Sequence, residues 1–365
     1  MVCIMDDGKI VSNGETTPEA KTVKYVLSDE TWEVSTDRTY HRIVAVKDFV
    51  RSDGLRVRAG DRGGWVESES NLSQDGTAWI ADEATVRGDA KIRESAVVCD
   101  RAAVFGSAVV FGSAKVCGDA NVCGEARVHG DAEIRGEAMV YGCTDIGWRA
   151  TVGYKAHVYG RAKVHGRAVV TEYAHVFGEA TVTGRAHIRG HSTVLGMARV
   201  HGRSAVYENA SVRGDAAVRG DASVYGNAEV TSHAIVKGHA QVRGNARLHE
   251  RARVHGYAEI RDSAIVGGDT IVCGDAIVGG SARLYGTAVV SGIRDYAVYK
   301  NTWSSGRWFT YTRSDGMWTV GCFRGTGDEL VAKAYKDGKL SGQCYEAIVR
   351  AQEAVDRFAA EDVSK

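Results

Sequence analysis

Four histidines, His129, His165, His201 and His255, recur at multiples of eighteen positions, and four arginines, Arg149, Arg167, Arg185 and Arg203, recur at every eighteenth. An exposed imidazole serves as a general base where a partner orients it and a pocket holds substrate. A row of guanidiniums is suited instead to binding phosphate or carboxylate. Lys163, His165, Arg199 and His201 lie on one side of the row, and His187 on the other. From 145 to 205 nine Lys or Arg stand against three Asp or Glu, with six histidines, although 46 basic residues balance 46 acidic ones overall. Such segregation is informative where the total charge is not. Four like charges on successive turns repel by roughly 0.8 kcal/mol per neighbouring pair in water, and only Asp145 stands at the edge of the row as a carboxylate. Trp148 precedes Arg149, and Tyr154 stands at the equivalent place in the next repeat. An aromatic plate beside arginines suits a nucleotide, a nucleic-acid backbone or the pantetheine-phosphate of acyl-CoA. The plain alternative is a solvated corner with splayed arginines. The residues therefore point to a non-enzymatic binding or scaffold protein, with no cofactor, that engages an anionic partner: nucleic acid, nucleotide or acidic protein. The competing expectation is an acyl-CoA-dependent acyltransferase at a subunit interface, with His165 or His201 as base.

The elements that position these residues follow from a hexad. Every sixth residue from Ala78 to Ala288 is alanine, or Thr144, Ser192, Ser204 or Thr270, and every residue two further on is Val, Ile or Leu. Thirty-six hexads run without insertion or deletion, and 26 carry glycine two positions past the aliphatic. Self-similarity at so short a period signals a solenoid. In a strand, residues i and i+2 share a face, so Ala126 and Val128 point inward while Arg127 and His129 point out. Gly130 and Asp131 then turn a corner, glycine supplying positive φ. Three hexads close one turn, which groups the thirty-six into twelve coils. So strict a count favours an all-β, left-handed parallel β-helix. It also leaves no inserted loop to build a pocket over any histidine, except one formed between subunits.

The same arithmetic stacks Phe105, Cys123, Tyr141, Tyr159, Phe177 and Leu195 into an outward apolar stripe. Exposed apolar patches of this size mark interfaces, so a homo-oligomer is expected, trimer before dimer. A ladder of rings stabilising the solenoid itself is the other reading. The eight cysteines lack metal-site spacing, and no metal is expected. Cys99 and Cys117, one coil apart, fall within disulfide reach but read as free thiols of a reducing cytosol. No apolar run approaches a membrane span, and the start, MVCIMDDGKI, lacks a signal-peptide core. A cytoplasmic location is expected.

The chain divides into three. Residues 1–60 read as a polar, mobile tail followed by a β cap with strands at 42–46 and 55–58. Residues 61–292 form the β-helix. Residues 293–365 form an α+β module: strands at 297–301, 308–312 and 318–321, a helix from the capping box at 326–329 to about 336, and a second from about 341 to 358. Tyr345, Ile348, Val349, Val355 and Phe358 are assigned to one face of that second helix. Gly325-Thr326-Gly327 with Arg324 beside it could take an anion, though capping alone explains it.

DRGGWVESESNLSQDGTAWI (61–80), preceded by HRIVAVKDF (41–49) and followed by the hexads, resembles the YdcK-like hexapeptide-repeat family of bacteria and phages. The resemblance covers roughly 41–292. It implies a left-handed β-helix and an acyltransferase label that rests largely on the repeat, and it brings no catalytic residues with it. WTVGCFRGTGDELVAKAYKDG (318–338) is similar to a module of phage-encoded proteins of unknown function, which makes a phage origin and a host cytoplasm the corresponding expectation.

Overall fold

The computed structural model describes residues 23–35 and 38–363. The polar tail at the start, expected to be mobile, lies outside them. Each hexad forms a two-residue strand, Arg127–Val128 and Lys163–Val164 among them, paired in parallel with the equivalent strands one coil before and one coil after. Three sheets result. Two have 12 strands, and the third has 15, of which about 13 belong to the coils. Backbone bonds run along the axis, as from Arg127 N–H to the Thr144 carbonyl at 2.9 Å. The inner columns are dry: Ala126, Val128, Val164 and Val200 are fully buried, while Arg127, Lys163 and Arg199 are exposed.

The corners explain the glycine register. From 82 to 286 every corner residue has positive φ, whether glycine or one of ten others. Seven of the ten are Asp or Glu. An L-residue is strained there, but an acid can recover part of the cost. The Glu94, Asp100, Glu172 and Asp262 carboxylates accept from the N–H of the corner residue one coil on, at 2.7–2.9 Å. A charge-assisted bond thus satisfies a backbone donor that the sheets leave free. Trp148 (φ 65°) and Tyr154 (φ 55°) are the two aromatic exceptions.

The solenoid begins one turn before the unbroken hexads. Ile80 pairs with Val98, the regular step, whereas Val66 pairs with Val86 and Leu72 bridges to Ile92, each two positions further. The first turn therefore carries two extra residues before Ile80. The GGWVESE and NLS segments build it. A side chain at Gly63 would meet Ile43, Trp79 and Ile80, and one at Gly64 would meet Ile80 and Ala84, at under 3 Å. Asn71 is buried, donates to the Gly88 and Ala90 carbonyls and accepts from the N–H groups of Glu67 and Ser68. Strands Tyr25–Ser35 and Arg38–Ala45 add antiparallel to Arg62–Val66 and cover the raw end. The first was not expected, since YVLSDETWEVS lacks clean alternation. Phe49–Val50 and Arg56–Val57 form a small hairpin, shorter than the expected 55–58. Lys24 is buried with its ammonium on the Ala78 carbonyl at 2.9 Å, and desolvation pulls its pKa down to about 8.

At the far end, Tyr296–Lys300, Trp308–Thr312, Met317–Val320 and Phe323–Gly325 form an antiparallel sheet. The fourth strand was not foreseen. Thr310 Oγ1 accepts from Arg283 N–H and Ser314 Oγ from Val289 N–H, closing backbone donors of the last coil. Helices Gly327–Asp337 and Lys339–Val363 pack on this sheet around Phe309, Trp318, Leu330, Tyr345 and Val349. Val355 and Phe358, expected on the buried face, are exposed. Gln352 is buried in their place, accepting from the Tyr299 hydroxyl at 2.6 Å, because the helix face against the sheet continues from 345, 348 and 349 to 352.

Candidate functional site

Arg149, Arg167, Arg185 and Arg203 are all exposed, one per coil, each following a corner residue. The expectation that only Asp145 accompanies them is corrected. Asp131 and Asp221 occupy the ladder's own column, one coil beyond either end. Arg149 Nε lies 4.0 Å from Asp131, and Arg203 grips Asp221 with two bonds of 2.6 and 3.0 Å. The Arg203 bond holds the Asp221 carboxyl below its ordinary value. Pairs at this spacing are common on the prism, for example Arg101 with Asp119 and Arg161 with Glu179. Arg167 and Arg185 have no carboxylate in ion-pair reach among the described residues. The open charge is therefore the middle of the row, flanked by exposed Lys163 and Arg199.

Trp148 is 67% exposed at the corner just before Arg149. Tyr154 is not part of that plate. It stands at the next corner, walling an open hollow of about 460 Å³ with Gly118, Gly136, Lys155 and Tyr173. Neither side chain makes a hydrogen bond among the described residues, so neither offsets its corner strain as the acids do.

The histidine column divides. His201 is half-buried between Thr183 and Arg219, with no carboxylate in reach among the described residues. Burial, with Arg219 and Arg199, lowers its pKa. It has no orienting group for base catalysis. His165 has a carboxylate in reach, its Nε2 lying 3.2 Å from Asp145 Oδ2, though without the geometry of a hydrogen bond. It shares that carboxylate with His129, whose Nε2 is 3.0 Å from Oδ1. The signal for this cluster was the glycine at 147, just past strand Asp145–Ile146 and without positive φ, set midway between two histidines two coils apart.

The outward stripe is a ladder of rings. Tyr141 and Tyr159 stack at 4.9 Å and Tyr159 and Phe177 at 4.7 Å, all nearly parallel, and the Arg87 guanidinium lies over Phe105. Phe105, Cys123, Tyr141, Tyr159, Phe177 and Leu195 are all half-buried, much of their apolar surface being spent on one another. Cys99 and Cys117 are adjacent free thiols. Thr326 and Glu329 make the reciprocal capping box, and Arg324 is held by Asp315, so that helix start offers an anion no free cation. No helix among the described residues is long and apolar enough to cross a membrane. No protein-family model matches the chain, and no curated protein matches it.

Proposed function

We propose that the chain is a binding or scaffold protein whose solenoid corner engages a phosphate-bearing partner through Arg167 and Arg185, with Lys163, Arg199 and Trp148 alongside. The observation that carries this reading is two successive guanidiniums left without acids in a column whose outer arginines, Arg149 and Arg203, both face one. Successive corners about 4.8 Å apart are spaced comparably to phosphates along one nucleic-acid strand. A strained, exposed tryptophan at the head of the row adds a face for a base. Fluorescence anisotropy at low salt with single-stranded DNA, RNA, mononucleotides, acidic peptide and CoA tests it. Wild type should bind a nucleic-acid strand with affinity falling steeply in salt, and Arg167→Glu/Arg185→Glu should abolish binding. Equal, negligible binding by both proteins ends the reading.

The finer parts of the reading belong with it: a YdcK-like repeat protein, phage-encoded, acting in a host cytoplasm and assembled as a trimer along Tyr141, Tyr159 and Phe177. Their support is the 61–80 segment and the continuous ring ladder. A monomer by light scattering at micromolar concentration removes the trimer. Acyl transfer from acyl-CoA draws on one observation, the His165–Asp145 contact. CoA binding lost in His165→Gln would favour it.

A further inference from the structure

We propose that His129, Asp145 and His165 form a binding site for one divalent first-row transition-metal ion, with zinc as the reference ion. The three donors come from three consecutive coils. Their ligand atoms all lie within 4.8 Å of one another, with His129 Nε2 3.0 Å and His165 Nε2 3.2 Å from the two Asp145 oxygens. A metal at about 2.0–2.2 Å from nitrogen and oxygen ligands holds them roughly 3.3 Å apart. Two sides of the required triangle, those from the imidazoles to the carboxylate, are therefore near their length before any movement. Imidazole with carboxylate suits zinc, iron, nickel or copper and disfavours magnesium and calcium, which take oxygen shells.

Two further features separate this cluster from an ordinary hydrogen-bonded surface group. His165 Nε2 is shielded from solvent and makes no hydrogen bond of acceptable geometry despite the nearby carboxylate. A shielded polar atom without a partner needs an explanation, and a coordinated cation supplies one. Gly147 lies on the intervening coil, and a Cβ there would clash with the His129 ring at Cε1. Its φ makes no demand for glycine. The missing side chain is what lets the two imidazoles, two coils apart, converge on the carboxylate between them. Asp145 pairs in its sheet with Arg127 and Lys163, yet neither is in ion-pair reach among the described residues, and Arg127 lies over the Phe111 ring instead. Phe111 also stacks on His129 at 5.2 Å, fixing that ring. Three protein donors leave at least one coordination position open.

The test uses the full, tag-free chain, stripped by a chelator and titrated with zinc chloride against a chromophoric zinc indicator. Wild type should take up one equivalent, and cobalt should give a visible d–d spectrum that zinc bleaches at one equivalent. Magnesium in large excess should not compete. Asp145→Asn, close to isosteric and checked for an unchanged circular-dichroism spectrum, should weaken zinc at least tenfold, since even outer partners of a metal site contribute that much. His129→Gln/His165→Gln should abolish uptake, and His249→Gln, elsewhere on the prism, should leave it unchanged. No uptake by wild type, or uptake of equal strength in Asp145→Asn and in the histidine double variant, overturns the proposal.

Discussion

The prism builds the same niche twice with different contents. At His129, Gly147 and His165, a ring folds over a glycine one coil on and meets a second ring one coil further, 5.9 Å away. At His249, Gly267 and Tyr285, on another face, the same three registers repeat: the imidazole covers the glycine, and the two rings are 5.6 Å apart. Asp145 stands two positions before the first glycine, and Ile265 stands two positions before the second. In the first niche the carboxylate of the glycine's own coil lies between the two imidazoles; in the second that position is aliphatic, and the nearest carboxylate, Glu250, stands at the corner beside His249, 3.7 Å from its Nδ1. In a solenoid the backbone is supplied coil after coil in one conformation, and chemistry is decided by which side chains share a niche.

The largest effect should come from below both niches, where each rests on a dry aliphatic column. Val164 and Val266 are fully buried, and an aspartate at either places an unpaired charge in a dry core, at a cost of several kcal/mol. Urea denaturation should show comparable losses for Val164→Asp and Val266→Asp. Native stability in either would mean that the scaffold beneath them is not shared. Next come the glycines. Gly147→Ala and Gly267→Ala each push an imidazole aside, and because a ring tip can swing away, each should cost only about 1 kcal/mol. They should part in zinc uptake, lost in the first and unaffected in a wild-type background by the second. If Gly147→Ala keeps full uptake, the gap is not what brings the donors together. A donor exchange sharpens the comparison further: Ile265→Asp/Tyr285→His should give the second niche measurable zinc affinity by the same indicator titration.

The smallest effect concerns His201, in the first niche's own column but without a glycine or carboxylate beside it. Burial, with Arg219 and Arg199, disfavours its charged form, so its folded pKa lies below the ordinary 6.5. The unfolded chain then binds more protons in mild acid, and stability falls as pH drops from about 6.5 through the folded value. Thermal midpoints at about pH 7 and pH 5 should differ slightly less for His201→Gln than for wild type. An unchanged difference would show that His201 titrates as freely in the fold as in the unfolded chain.

Much of this was legible in the chain. The hexad identifies the inner columns without error because a pleated strand offers only two faces and one of them must be dry. It places Arg149, Arg167, Arg185 and Arg203 in a row, and one more coil from either end leads, in the same column, to Asp131 and Asp221. The first turn was less legible: with two extra residues before Ile80, its strands fall out of the hexad. The end caps also break it, since Tyr25–Ser35 and Phe323–Gly325 are held by edge pairing rather than by an alternating pattern.

The sequence alone determined which column every residue of the unbroken hexads, 78–290, occupies and therefore which residues stack one coil apart, because stacking at strand spacing leaves each outward side chain one neighbour above and one below. The convergence of His129, Asp145 and His165 was decided only in three dimensions. Asp145 shares its column with Arg127 and Lys163, whereas both histidines stand in another, so the contacts cross columns and depend on rotamers that no periodicity contains. Two imidazoles lean across the space a missing side chain leaves at Gly147, and the carboxylate of that same coil is the group they reach.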